Sequence, residues 1–302
     1  TYPTRTISLI VPFAAGGPTD VVARIVAEHM SQTLGQRLIV ENIAGAGGTV
    51  GIDRGAKARA DGYTIMMGHM GTHGAAPALY PRLPYDPTRD FAPIGLVAGT
   101  PIVLVATRGF PAQTLAETVT LMRQRGDAIT MGHAGIGSVS HTTGLLFNAQ
   151  IGGTPTMVGY RGTGPAMQDL VGGQIQIMAD QIVNVVGQVN SNQIRALAIA
   201  TPTRSPVLPN VPTTAEAGLP AYLASAWNAL FAPRDTPPAA VQRLNAAMIA
   251  ALEDPRTRQR LLDLGATIPE PAQRTPESLA QLVRSEVERL TPVIRAAGVT
   301  AE

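Results

Sequence analysis

The chain has 302 residues, of which 45% are hydrophobic and 15% charged, enough for packed cores in about two domains and too apolar for a disordered chain. Aromatic residues are only 4% and the formal net charge is +2, with no run of five like charges, which argues against nucleic-acid binding by base stacking or by a basic patch. Cysteine is absent, which removes disulfides, thiolate metal sites and cysteine nucleophiles, and 31 glycines with 25 prolines point to many tight loops.

The chain opens Thr1-Tyr2-Pro3-Thr4-Arg5, with neither an initiator methionine nor an apolar signal core, as a processed mature start or an artificially trimmed one would. No apolar run reaches about 18 residues, so no membrane-spanning helix is expected. The short apolar run Ile7-Ser8-Leu9-Ile10-Val11 predicts a buried strand. After Pro12 to Gly17, the residues Val21, Val22, Ile25, Val26, Met30 and Leu34 recur at helical spacing, with Thr19 or Asp20 as the expected cap. The same order of strand, glycine loop and helix returns several times. Leu38-Ile39-Val40 leads into Gly45-Ala46-Gly47-Gly48, and Tyr63 to Met67 into Gly68-His69-Met70-Gly71-Thr72-His73-Gly74. Ile129-Thr130-Met131 leads into Gly135-Ile136-Gly137-Ser138, and Met157-Val158 into Tyr160-Arg161-Gly162-Thr163-Gly164-Pro165. Such units predict an α/β protein with largely parallel sheets. The last third is helical. Pro237-Pro238 opens one helix on Val241, Leu244, Met248 and Leu252, and Thr275-Pro276-Glu277 opens another, which Pro292 should kink or end. Chain crossings are expected near Gly99-Thr100-Pro101 and Asn228-Ala229, giving a discontinuous first domain (1–100 and 229–302) and an inserted second domain (101–228).

Several loops carry candidate chemistry. Pro12-Phe13-Ala14-Ala15-Gly16-Gly17 precedes a helix, so its backbone N–H groups and the helix N-terminus converge on a point suited to a carboxylate or phosphate; an ordinary tight turn would look the same. No Gly-Lys-Ser/Thr and no Gly-x-Gly-x-x-Gly is formed there, so it is not a nucleotide loop. In the second domain Ser138 either caps the next helix or donates to a ligand, and Arg161 either clamps a carboxylate or is solvated. Asp180, after Ile175-Gln176-Ile177-Met178-Ala179, either accepts from a ligand donor or caps a helix. Ser138, His141 and Asp180 could be drawn as a triad, but Ser138 lacks the Gly-x-Ser-x-Gly setting, so no enzyme is expected. His69 and His73 lack the pattern of a zinc helix, His29 reads as a helix-surface residue, and Met66, Met67 and Met70 read as core. Ligands of open α/β sheets sit beyond the carboxyl ends of the strands, so glycine loops from two domains should face each other across one cleft.

Together these loops resemble the Bug-type periplasmic solute receptors, the extracytoplasmic binding proteins of tripartite tricarboxylate transporters. The resemblance runs nearly end to end. It is carried by Tyr2-Pro3, by Val11 to Gly17 with Asp20 and Arg24, by Val40-Glu41-Asn42, by Asp61-Gly62-Tyr63-Thr64, and by Leu83-Pro84-Tyr85-Asp86-Pro87. It continues through Gly172-Gly173-Gln174, Pro212-Thr213, Glu216-Ala217-Gly218, Trp227 and Ala232-Pro233. The resemblance implies a two-domain periplasmic binding protein fold of type II, a Venus flytrap with a largely parallel sheet in each domain. It implies a periplasmic monomer without cofactor or metal that captures a small carboxylate and passes it to membrane transporter subunits, with neither nucleic-acid binding nor membrane insertion. The ligand contacts it implies, together with the loop reading, are Phe13, Ala14, Ala15, Gly16, Thr72, His73, His133, Gly137, Ser138, His141, Tyr160, Gly162 and Asp180. Asp20 is assigned to fixing the first loop. His133, Gly71 and Asn184 depart from the small hydroxyl residues common in the family, so His69, Met70, His133 and Asn184 are expected to tune the ligand. Mono- and dicarboxylates, aliphatic or aromatic, are all compatible with this pattern. A sensor subunit using the same cleft, and more remotely a hydrolase built on Ser138, are the alternatives.

Overall fold

Strands β1 (Ile7–Val11), β2 (Leu38–Asn42) and β3 (Thr64–His69) lie side by side in parallel in the computed structural model, which describes residues 1–301. Their crossovers contain helices α1 (Pro18–Leu34) and α2 (Thr49–Ala56). The apolar stripe of α1 forms as the spacing predicts, with Val22, Ile25, Val26, Met30 and Leu34 buried. Its cap differs from expectation: Gly17 is the N-cap and Pro18 begins the helix, so Thr19 and Asp20 fall in the first turn. A buried turn over residues 71–75 and the short helix α3 (Ala76–Leu79) then lead to β4 (Phe91–Thr107).

β4 is 17 residues long and belongs to both halves of the sheet. From Phe91 to Pro101 it pairs antiparallel with β9 (Ser225–Pro233), and β9 pairs antiparallel with β3. From Ile102 onward β4 runs antiparallel between β7 (Ile177–Gln181) and β8 (Ile194–Ile199). The second half of the sheet is completed by β5 (Thr130–His133) and β6 (Thr156–Gly159), parallel to each other and to β7. Parallel pairing thus covers three strands in each half, and the antiparallel strands β4 and β9 carry the chain between them. β9 re-enters at Ser225 opposite Pro101, ahead of Asn228-Ala229, which already pair with the first half.

The second lobe is flanked by α4 (Leu115–Arg125), α5 (Val139–Ile151), α6 (Thr163–Gly172) and α7 (Ile182–Asn190). The first is covered by α8 (Pro238–Glu253) and α9 (Pro255–Asp263), and α10 (Pro276–Ala296) returns along β4 and α3. Met66, Met67 and Met70 are fully buried, as core methionines. Trp227 Nε1 donates to the buried Glu286 carboxylate at 2.9 Å and so fastens α10 to β9. Where the lobes join, Thr100 Oγ1 donates to Gln181 Oε1 at 2.6 Å and accepts from Asn228 Nδ2 at 3.4 Å, all three residues being buried.

Pro292 does not end α10, which continues to Ala296. Proline removes the N–H that would bind the Glu288 carbonyl. Both Pro292 and Glu288 are on the exposed face, where solvent is available to that carbonyl. Replacing an interior helical proline by alanine is worth up to about 3 kcal/mol. Because the helix already tolerates this one, we expect Pro292→Ala to add about 1 kcal/mol, read as a rise of a few degrees in thermal midpoint with unchanged ligand binding.

Candidate functional site

All six parallel strands, β1, β2 and β3 in one lobe and β5, β6 and β7 in the other, end on the same cleft. Its volume is about 820 Å³. The first lobe lines it with residues 13–19 and 44–48, His69 and Tyr80. The second contributes residues 134–136, 138–140 and 160–165 with Asp180, Gln181 and Asn184. The lobes touch at its rim. The Tyr80 hydroxyl lies 2.9 Å from the carbonyl oxygens of both Ala46 and Ile136, one from each lobe. A Cβ on Gly47 would collide with the Ile136 carbonyl, so only glycine permits that approach.

The first loop is shaped by Asp20. Its carboxylate accepts from Gly16 N at 2.9 Å, Asn42 Nδ2 at 2.8 Å and Arg24 Nε at 3.0 Å, and Asn42 also donates to the Phe13 carbonyl at 3.0 Å. Burial pushes the Asp20 carboxyl up, but hydrogen bonds from Asn42, Gly16 and Arg24 outweigh it and hold it below the usual range. Gly16 sits at φ +90°, where a side chain is strained.

The second loop is shaped by its histidines. Ser138 caps α5, its Oγ accepting from His141 N at 3.2 Å. Ser140 Oγ accepts from Ala134 N, His133 Nδ1 from Gly135 N at 3.1 Å, and His141 Nδ1 from Gly137 N at 3.2 Å. Burial depresses both imidazoles, His141 to about 4, so they are neutral acceptors at pH 7. Ser138 Oγ makes no hydrogen bond to the His141 ring among the described residues, and the Asp180 carboxylate is bonded elsewhere, so no triad is assembled.

Of the contacts expected from sequence, Phe13, Ala14, Ala15, Gly16, Ser138, Tyr160, Gly162 and Asp180 meet on the cleft wall. Thr72, His73, His133, Gly137 and His141 do not line it. Thr72 Oγ1 contacts His73 Nδ1 at 2.9 Å, and the fully buried His73 ring stacks on Phe231 with centroids 3.9 Å apart. Gly137 (φ +90°) spends its amide on His141, and both loop histidines support the wall from behind. Unforeseen wall residues are the 44–48 arm, Tyr80, Ser140 and Gln181. The run Gly45-Ala46-Gly47-Gly48 carried the same strand, glycine loop and helix signal as the loops that were named.

Five helices, α1, α2, α5, α6 and α7, begin at this cleft. Asp20 lies in the first turn of α1 and Asp180 just precedes α7, whereas α2, α5 and α6 have no acid in their first turns. The amides of Ala14, Ala15, Val139 and Ser140 have no partner among the described residues. Among the described residues the only charged side chains on the wall are Arg161, which is exposed, and Asp180, which is fully buried. The Asp180 carboxylate accepts from Gln181 N at 2.8 Å and from Asn184 Nδ2, and has no ion-pair partner among the described residues. Burial pushes its pKa up to about 6 against the pull of those two bonds.

A profile described as tripartite tricarboxylate transporter family receptor matches residues 22–299. The chain is similar to MatC from Rhodopseudomonas palustris, solved with bound malate, at 48% identity and a TM-score of 0.93 over 97% of this chain and 100% of that one. It is similar to the periplasmic binding protein BugD at 38% identity and a TM-score of 0.93, covering 99% of this chain and 100% of the other. It is also similar to a second R. palustris protein, solved with adipate, at 33% identity and a TM-score of 0.93 over 100% of both chains. No helix among the described residues is long and apolar enough to cross a membrane.

The raised carboxyl of Asp180 makes a signed prediction. Between about pH 4 and pH 6 the folded chain keeps a proton that the unfolded chain has released, so this group's contribution to stability falls through that window. Asp180→Asn removes the dependence. Whatever its effect at pH 4, the difference in unfolding midpoint between variant and wild type should move in favour of the variant by pH 8.

Proposed function

Because the chain belongs to the receptor family of the tripartite tricarboxylate transporters, we propose that it is a periplasmic receptor that closes around a small organic carboxylate and delivers it to a transporter of that type. Its family is one of solute receptors, not enzymes. One observation carries the ligand class: five helix N-termini and a set of free amides open onto a wall whose one inward-facing charge is an acid of raised pKa. Each uncompensated N-terminus acts as roughly half a positive charge, so α2, α5 and α6 together supply about 1.5. That exceeds what a monoanion needs and favours a dicarboxylate, in keeping with the malate and adipate held by the relatives.

The free amides of Ala14 and Ala15 in one lobe, and of Val139 and Ser140 in the other, are assigned to the ligand, with Tyr160, Gly162 and Asp180 completing the wall. A micromolar affinity needs about −8.2 kcal/mol. Charge-assisted hydrogen bonds contribute roughly 1.5–3 kcal/mol each, so four amides give about 6–12 kcal/mol before association costs of about 4 kcal/mol or more, and the helix N-termini and the rest of the wall supply the remainder. Since both lobes supply donors, the ligand meets all of them only when the lobes are closed, and that differential affinity drives closure.

Isothermal titration of malate, succinate and adipate should give at least one dissociation constant in the micromolar range or tighter; binding of none of the three would refute the aliphatic dicarboxylate as ligand class, and binding of no carboxylate at all would refute the receptor assignment. Gly16→Val and Gly137→Val place a β-branched residue at φ +90°, and should weaken binding by about tenfold or more with an unchanged circular dichroism spectrum. Wild-type affinity in both variants would show that these loops do not hold the ligand.

A further inference from the structure

We infer that His69 is the residue with which this cleft recognises a second carboxylate, donating to it from a neutral imidazole at Nε2. This rests on the receptor function proposed above and adds to it a selectivity determinant.

His69 closes β3, and its ring forms part of the wall, stacked on Phe13 with centroids 4.8 Å apart and planes 18° from parallel. Nδ1 accepts from Gly71 N at 2.8 Å and from Thr72 N at 3.3 Å. A ring nitrogen that accepts from amides cannot carry the proton, so the proton of the neutral ring is on Nε2. Burial keeps the ring neutral at physiological pH, with its pKa pushed down to about 4. Nε2 has no partner among the described residues and is not one of the fully enclosed orphan atoms, unlike His73 Nε2.

The donors around it are already engaged. On the first lobe's wall the Tyr80 hydroxyl faces the Ala46 and Ile136 carbonyls, and Thr19 Oγ1 donates to Asn228 Oδ1 at 3.4 Å. His69 Nε2–H is therefore the one side-chain donor of that lobe's wall left for a ligand among the described residues. His133 and His141 use the same Nδ1 acceptance, but they lie behind the second loop. The turn that orients His69 also makes a lobe contact, because a Cβ on Gly71 would collide with the Gly137 carbonyl. Closure thus brings the second loop, with its free amides, up to the His69 ring, so that one ligand meets donors of both lobes. A neutral donor rewards an oxygen acceptor and gives nothing to a methyl group, which is the difference between a dicarboxylate and its monocarboxylate counterpart.

The test compares succinate with butyrate and adipate with hexanoate on wild type, His69→Asn and His69→Gln. Asparagine keeps a carbonyl oxygen near the Nδ1 position for Gly71 and Thr72 but has no group at Nε2. Glutamine reaches further and restores an N–H. In His69→Asn the dicarboxylates should weaken about tenfold or more, the monocarboxylates should change less than about threefold, and His69→Gln should recover most of the loss. Nitrogen-15 NMR of histidine-labelled wild type should show the neutral Nε2–H form of His69, shifting with succinate or adipate and not with butyrate or hexanoate. Equal weakening of both ligand classes, unchanged dicarboxylate binding in His69→Asn, or an Nε2 signal unmoved by dicarboxylate would each overturn the assignment. Failure of wild type to bind any carboxylate would instead overturn the receptor function on which it rests. The NMR experiment needs no variant, so misfolding of His69→Asn does not shield the inference.

Discussion

Strand β4 is hydrogen-bonded in both lobes, and every group on the cleft is placed relative to it. At its crossing point Thr100 donates to Gln181 and accepts from Asn228, which in turn accepts from Thr19. A buried polar chain thus runs from the first turn of α1 to the start of α7. An unpaired buried polar group costs about 1–3 kcal/mol. A slip of β4 by one residue would turn Thr100 to the opposite face and strand its two partners. The register that buries Ile102 to Ala106 between β7 and β8 is therefore the register that places Gln181 and Asp180 on the cleft wall.

On that frame the cleft attracts an anion almost without cations. A buried arginine would bind a carboxylate strongly, but desolvating it costs several kcal/mol, and the paired ions would separate slowly. Helix N-termini and loop amides are fixed dipoles that need no such desolvation, and each contact is modest. For a receptor that must release its ligand, a sum of modest contacts divided between two lobes has the further property that opening breaks half of them at once. Asp180 fits the same logic. It lies just before α7 and offsets that helix's dipole, while its own carboxyl is half-protonated near pH 6.

Much of this architecture was legible from residue spacing. The units of strand, glycine loop and helix stood out because apolar periodicity changes from a short run to helical spacing on either side of each loop. The antiparallel passage was not. In residues 91–107 only Gly99-Thr100-Pro101 stood out, as a chain crossing, and an apolar strand pattern is interrupted by Pro93, Gly95, Gly99 and Pro101. They are accommodated because β4 is irregular between Pro93 and Gly95 and again between Leu96 and Ala98. The site was half legible for a related reason. Residues 13–16 and Ser138 are exposed to the cleft by their position at strand ends. His133 and His141 stand in the same loops, but their Nδ1 atoms turn back to accept amides, which spacing does not distinguish from facing a ligand. Tyr80 left no signal in the sequence, because its role exists only once the lobes meet.

At the rim that meeting is made by small groups. The Tyr80 hydroxyl carries one proton between two carbonyls, Ala46 in its own lobe and Ile136 in the other. With the lobes apart the proton would serve Ala46 alone, so closing shares an existing hydrogen bond more than it adds one. The rim contacts of glycines 47 and 71 set backbone against carbonyls of the second loop, where a glycine has no side chain to bury. A lobe interface strong enough to close by itself would leave the ligand no equilibrium to shift. Glycines and a shared hydroxyl at the rim leave that decision to the donors inside, which only an anion spanning both lobes can satisfy.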